Sequence, residues 1–82
     1  MIDLTQAHRH AANHRREIAE SLVCGCFHCL RVFAPREIRA WVDTECARCP
    51  HCGVDAVLGD ASGLPMTRAF LAEMRARWFE VG

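Results

Sequence analysis

Two Cys-x-x-Cys pairs, Cys26-Phe27-His28-Cys29 and Cys49-Pro50-His51-Cys52, stand nineteen residues apart in a chain of 82 residues. Nothing else in the sequence restricts the fold as strongly. Two residues between thiols let one tight turn aim both sulfurs at a single point. Two such turns from separate segments then close a tetrahedron around one ion. An intervening stretch of roughly 15–20 residues is the spacing read as a zinc site. Gly53 follows the second pair and can adopt the positive φ that lets backbone amides point at sulfur. Pro50 stiffens the same turn. The pattern predicts Cys26, Cys29, Cys49 and Cys52 as the ligands of one Zn2+ per chain.

Chain length supports a role for the metal in folding. A domain this small buries only about 60% of its unfolded surface, and such domains often add a metal or disulfides. Six cysteines supply either. Residues 1–20 are polar and rich in His and Arg, with no apolar core of a signal peptide. No stretch approaches the roughly 18 apolar residues of a membrane span. The expectation is one domain over residues 1–82, cytoplasmic and without a membrane contact. In that reducing compartment clustered thiols favour metal over disulfides. An iron–sulfur cluster also uses four cysteines, but the Cys-Pro-x-Cys-Gly turn favours zinc.

The expected fold class is α+β: a small zinc ribbon, two knuckles with short β-strands, flanked by an N-terminal helix, a short central helix and a C-terminal helix. Asp3 with Gln6 forms a capping-box pattern, and a helix is expected over about 4–21. Its apolar face carries Leu4, Ala7, Ala11, Ile18 and Leu22, with His14 on the same side. This weak stripe needs cover from the rest of the chain or from a second copy, which makes a homodimer through this helix one expectation. The ribbon spans about 22–60, with Val32 and Phe33 as a short strand leaving the first knuckle. Pro35 suits N1 of a second helix over about 35–43, with Glu37 at N3, a poor cap in Ala34, and an apolar edge of Ile38, Trp41 and Val42. Residues 54–58 read as a strand, and Gly59, Asp60, Ser62, Gly63 and Pro65 as a turn-rich loop. Thr67 caps a last helix over about 68–79, with Phe70, Leu71, Met74, Trp78 and Phe79 as its buried stripe.

Several other side chains are candidate ligands. Cys24 adjoins the first knuckle and Cys46 precedes Cys49 by three, so either can exchange into the site. Both also suit small buried positions. Cys24 with His10 and His14, one helical turn apart, forms a candidate second site, against which stands the weakness of i,i+4 histidines as a signal. A catalytic zinc keeps an open position, and four thiolates leave none. The segment between the pairs contains no histidine, and Asp55 and Asp60 have no histidine partner downstream. The sequence therefore argues against an enzyme.

Cys24-Gly25-Cys26-Phe27-His28-Cys29, Pro35-Arg36-Glu37-Ile38 with Trp41, and Cys49-Pro50-His51-Cys52-Gly53-Val54-Asp55-Ala56-Val57-Leu58-Gly59-Asp60 resemble a family of small bacterial cytoplasmic proteins. The likeness extends through Ala7-His8-Arg9-His10 and the closing Phe70-Leu71, Met74 and Trp78-Phe79. It covers most of the chain. The resemblance implies a zinc-ribbon fold and a cytosolic location, and no activity. It also implies that Cys24 belongs to the pattern and Cys46 lies outside the essential site.

Three functions compete. The first is a zinc-stapled adaptor that contacts a protein partner. The second is nucleic-acid or transcription-machinery binding, through Arg9, Arg15 and Arg16 in the His8–Arg16 run and through Arg31, Arg36, Arg39 and Arg48. All ten basic residues are Arg, but a formal net charge of zero argues against a strong non-specific binder. Glu17, Glu20, Glu37 and Glu45 also interleave with those arginines as on an ordinary solvated face. The third is a redox sensor working through the zinc thiolates, Cys24 or Cys46. The sequence favours the adaptor.

Overall fold

A computed structural model describes residues 3–79. It is a small α+β structure with three α-helices and two small antiparallel sheets. Helices α1 (Leu4–His8) and α2 (Arg15–Ala19) flank a 3-10 turn at Arg9–Ala11. The Asp3 carboxylate accepts from the backbone N–H groups of Thr5 (2.9 Å) and Gln6 (3.3 Å). The Asp3 half of the expected capping box therefore forms.

The single helix expected over 4–21 does not form. It breaks at Ala12–His14, where Ala12 is extended and Asn13 has φ 51°. Asn tolerates this left-handed conformation better than most residues. The break is compensated by contacts that sequence periodicity cannot show. The backbone N–H of His14 donates to the Glu45 carbonyl at 2.9 Å, and that of Asn13 to Cys46 Sγ at 3.3 Å. The apolar side survives the break: Ala7, Ala11, His14 and Ile18 are all buried. Leu22, assigned to the same stripe, is instead 88% exposed. By that point the chain has left α2, and the N–H groups of Leu22 and Val23 both donate to the Asp60 carboxylate.

Strand β1 (Cys24–Cys26) leads into the first cysteine pair and β2 (Val32–Phe33) leads out. The central helix expected over 35–43 is a second correction. Only a 3-10 turn, Pro35–Glu37, forms there. The Glu37 carboxylate accepts from the Ala34 N–H at 2.7 Å. This is half a capping box, since alanine has no oxygen to return the bond. Trp41–Val42 then becomes strand β3, paired with β4 (Cys46–Ala47). The aromatic and β-branched side chains of these two residues suit a strand. The hairpin closes through Asp43 and Thr44, at φ 52° and 63°. Two positive values in succession are the sign of a type I′ turn. Asp-Thr lacks the glycine that usually announces this turn, so the sequence hides it.

Strand β5 (Val57–Gly59) completes the larger sheet in the order β2-β1-β5, with Cys24 opposite both Phe33 and Gly59, and Cys26 opposite Val57. It starts later than the strand expected at 54. Helix α3 (Arg68–Trp78) matches its expected span, capped by Thr67 Oγ1 accepting from the Phe70 N–H at 3.2 Å. Phe70, Leu71 and Met74 are buried against the sheet, Trp78 is half-buried, and Phe79 is 46% exposed. A Cβ at Gly25 would lie 2.8 Å from Leu71 Cδ1, so α3 packs directly on the β1 backbone. The core gathers Ile18, Phe27, Phe33, Val57, Leu58, Phe70, Leu71 and Met74. Among the described residues no helix is long and apolar enough to cross a membrane.

Candidate metal centre

The two Cys-x-x-Cys turns repeat one another bond for bond. In the first, the Cys26 N–H donates to the Arg31 carbonyl (2.9 Å) and the Leu30 N–H to the Cys26 carbonyl (2.8 Å). In the second, the Cys49 N–H donates to the Val54 carbonyl (2.9 Å) and the Gly53 N–H to the Cys49 carbonyl (2.9 Å). The N–H groups of His28 and His51 point at Cys26 Sγ and Cys49 Sγ, each at 3.3 Å. The residue after each pair has positive φ: 65° at Leu30 and 78° at Gly53. Glycine takes this conformation freely. For Leu30 it costs roughly 1 kcal/mol, offset by packing of its side chain against the core.

The turns bring the four predicted sulfurs together. Cys26, Cys29, Cys49 and Cys52 place all four Sγ atoms within 4.8 Å of one another. Two pairs cross between the turns: Cys26 to Cys52 at 3.7 Å and Cys29 to Cys49 at 3.6 Å. Cys26 and Cys49 are buried, Cys29 is half-buried and Cys52 is exposed, so the cluster sits at the edge of the core. Such a group can hold a metal ion.

Local electrostatics divides the four thiols. Burial pushes the Cys26 thiol up, against the pull of the Cys29 and His28 amides. Burial acts upward on Cys49 too, but the N–H groups of Cys52 and His51 and the neighbouring thiols of Cys29 and Cys52 outweigh it. Hydrogen bonds to the charged form favour it, so Cys49 lies below an ordinary thiol. Cys52 is raised, chiefly by burial.

The other candidate ligands are engaged elsewhere. Among the described residues the four-cysteine group is the only gathering of three or more potential ligands. His10 Nδ1 meets the Glu17 carboxylate at 3.0 Å. His14 is 2% exposed; its Nε2 accepts from the Ala47 N–H at 2.9 Å, and its Nδ1–H donates to the His10 carbonyl at 2.5 Å. His14 is thus a structural clasp between the N-terminal segment and β4. Cys24 is fully buried in β1, its thiol pushed up to about 12 by burial and then by the Asp60 carboxylate. Cys46 Sγ accepts the Asn13 N–H.

The arginines are also sorted. Arg15 donates to the Thr44 carbonyl at 2.9 Å and lies 4.7 Å over the Trp41 ring. Arg16 pairs with Glu20 at 3.3 Å. Arg9 is exposed on the 3-10 turn. On the side of the second knuckle, Arg36, Glu37, Arg39, Pro50 and His51 line an open cleft of about 500 Å3. The sequence contained these residues but held no sign that they converge.

Comparisons with family models, with characterised proteins and with solved structures find no match to this chain.

Proposed function

We propose that this chain is a zinc ribbon: a non-catalytic, cytoplasmic interaction module whose four cysteines hold one structural Zn2+. The observation that carries this reading is the sulfur geometry. Zn–S bonds of about 2.3 Å in a tetrahedron set sulfurs about 3.8 Å apart. The pairs that cross between the turns stand at 3.7 Å and 3.6 Å. Four thiolates with amide N–H groups aimed at two of them stabilise a bound cation and fill its coordination shell. No position remains for a metal-bound water, which is why the role is structural rather than catalytic. The paired turns and the resemblance to small bacterial cytoplasmic proteins support the same reading.

The module would act by presenting surface to a protein partner. Its exposed Leu22, Val32 and Phe79 and the half-buried Trp41 and Trp78 are apolar side chains available for contact. Of the face that suggested a homodimer, Ala7, Ala11 and Ile18 pack into the chain's own core and Leu22 stays exposed. Nucleic acid is the second reading. Its support comes from the cleft beside the second knuckle; Arg15 is engaged by Thr44 and Trp41, and Arg16 forms an exposed pair with Glu20.

Native mass spectrometry on protein purified without added metal tests the proposal. One zinc per chain is expected, with loss of both ion and fold in Cys49→Ser/Cys52→Ser. Masses short by pairs of hydrogens and without metal would mean disulfides and would refute it.

A further inference from the structure

Arg36 and Arg39 flank the cleft from the Pro35–Glu37 turn and the segment after it, and Pro50 and His51 close it from the second knuckle. The two sides are distant in sequence and meet only in the fold. Both arginines are exposed, and among the described residues neither guanidinium has a hydrogen-bond or ion-pair partner. This contrasts with Arg15 and Arg16, which are held by Thr44, Trp41 and Glu20.

His51 is oriented from behind. Arg31 donates to its Nδ1 at 3.2 Å, and the ring packs 5.8 Å from Phe33. A guanidinium cannot accept a hydrogen bond, so the Nδ1 facing it must be the bare nitrogen. A neutral imidazole that accepts through Nδ1 carries its proton on Nε2. The single lining acid, Glu37, has one oxygen committed to the Ala34 N–H. The cleft is therefore lined by two unpaired guanidinium forks and by the His51 ring, which a third guanidinium backs. That donor set matches a tetrahedral oxyanion, which Arg binds through paired N–H···O bonds.

We infer that this cleft is a binding site for a phosphate group, carried either by a free nucleotide or by the backbone of single-stranded nucleic acid. Its volume is about 500 Å3, within the range of small-molecule sites. Its openness to solvent leaves room for a chain to run through. The inference goes beyond the zinc reading and leans on it at one point: the second knuckle must be formed to hold Pro50 and His51 in place.

The test is fluorescence-polarisation and NMR titration of the protein as purified, with metal content measured on the same samples. The probes are inorganic phosphate, AMP and a twelve-nucleotide single strand, at low salt. Arg36→Gln/Arg39→Gln should weaken binding at least tenfold while keeping its metal, and Arg15→Gln/Arg16→Gln should leave it within twofold. For the oligonucleotide, each lost phosphate contact should lower the slope of log K against log salt by about 0.7. Binding of AMP and phosphate alone assigns the site to a free nucleotide. Binding of the strand with weak response to AMP assigns it to nucleic acid. Metal-loaded protein that binds none of the three, or whose binding ignores Arg36 and Arg39, overturns the inference and leaves the zinc reading untouched.

Discussion

His14 holds together parts of the chain that have no local reason to meet, and replacing it should reveal that. Its Nε2 satisfies the Ala47 N–H, and its Nδ1–H satisfies the His10 carbonyl. In His14→Ala the Ala47 N–H stays in a place where Ala47 itself is fully buried. An orphaned buried amide costs about 1–3 kcal/mol. Removing the buried ring adds a cavity term of roughly 1–2 kcal/mol, so the expected loss is about 3 kcal/mol. A domain of this length has only roughly 4–12 kcal/mol of stability, so the loss is large enough to measure in urea. His14→Gln can place its amide oxygen where Nε2 was and should recover about 1 kcal/mol of the loss. His14→Asn reaches only the Nδ1 side and should recover less.

The assay is urea unfolding at fixed excess zinc, because bound ligand shifts apparent stability by mass action. Trp41, whose ring lies 6.4 Å from the His14 ring, provides a fluorescence signal close to the change. Metal per chain is measured alongside. If His14→Gln costs as much as His14→Ala, the Ala47 bond is not the source of the effect. If any of the three variants loses a metal ion from a protein that otherwise stays folded, His14 is a ligand and the clasp argument fails.

Two further outcomes follow from burial. Cys24 is fully buried, and its thiol is pushed from 9.0 up to about 12. Since the thiolate is the reactive form, at pH 8 it should react about 1,000-fold more slowly than a free thiol. Iodoacetamide should therefore label Cys46 and spare Cys24 in the folded protein, read by peptide mass spectrometry; rapid labelling of Cys24 would contradict its placement in β1. Leu22 is 88% exposed. Leu22→Ser should change stability by less than about 0.5 kcal/mol in the same urea assay, whereas a buried helical leucine would cost several-fold more.

The elements that are legible in the sequence are those whose cause is local. Each cysteine turn is written in six consecutive residues, so the knuckles, the positive φ at Gly53 and the gathering of four sulfurs can be read directly. Helix α3 likewise has its cap at Thr67 and its stripe within eleven residues. The elements that differ from expectation share the opposite property. Ala12-Asn13-His14 contains no proline or glycine, and nothing near it announces a break. The helix ends there because Glu45, Cys46 and Ala47 offer better partners than the next helical turn does. Those partners exist only because Trp41–Val42, expected in a helix, pair with Cys46–Ala47 as a hairpin. The two departures are therefore one: a helical Trp41 and Val42 would leave no strand edge to account for the break.

That coupling also explains why the cysteine cluster bears so much of the fold. The strands span two or three residues and the first two helices five each, lengths at which neither element is stable alone. Both sheets are anchored to the turns. Strands β1 and β2 enter and leave the first, β4 leads into the second, and β5 follows it and pairs back onto β1. An ion holding all four sulfurs would fix the separation between the two turns, and with it the meeting of β5 with β1. It would also hold β4 in place against the clasp at His14. In this chain a metal would not reinforce an already assembled core. It would close the two loops within which the core can form, so metal loss and unfolding should be a single transition rather than two.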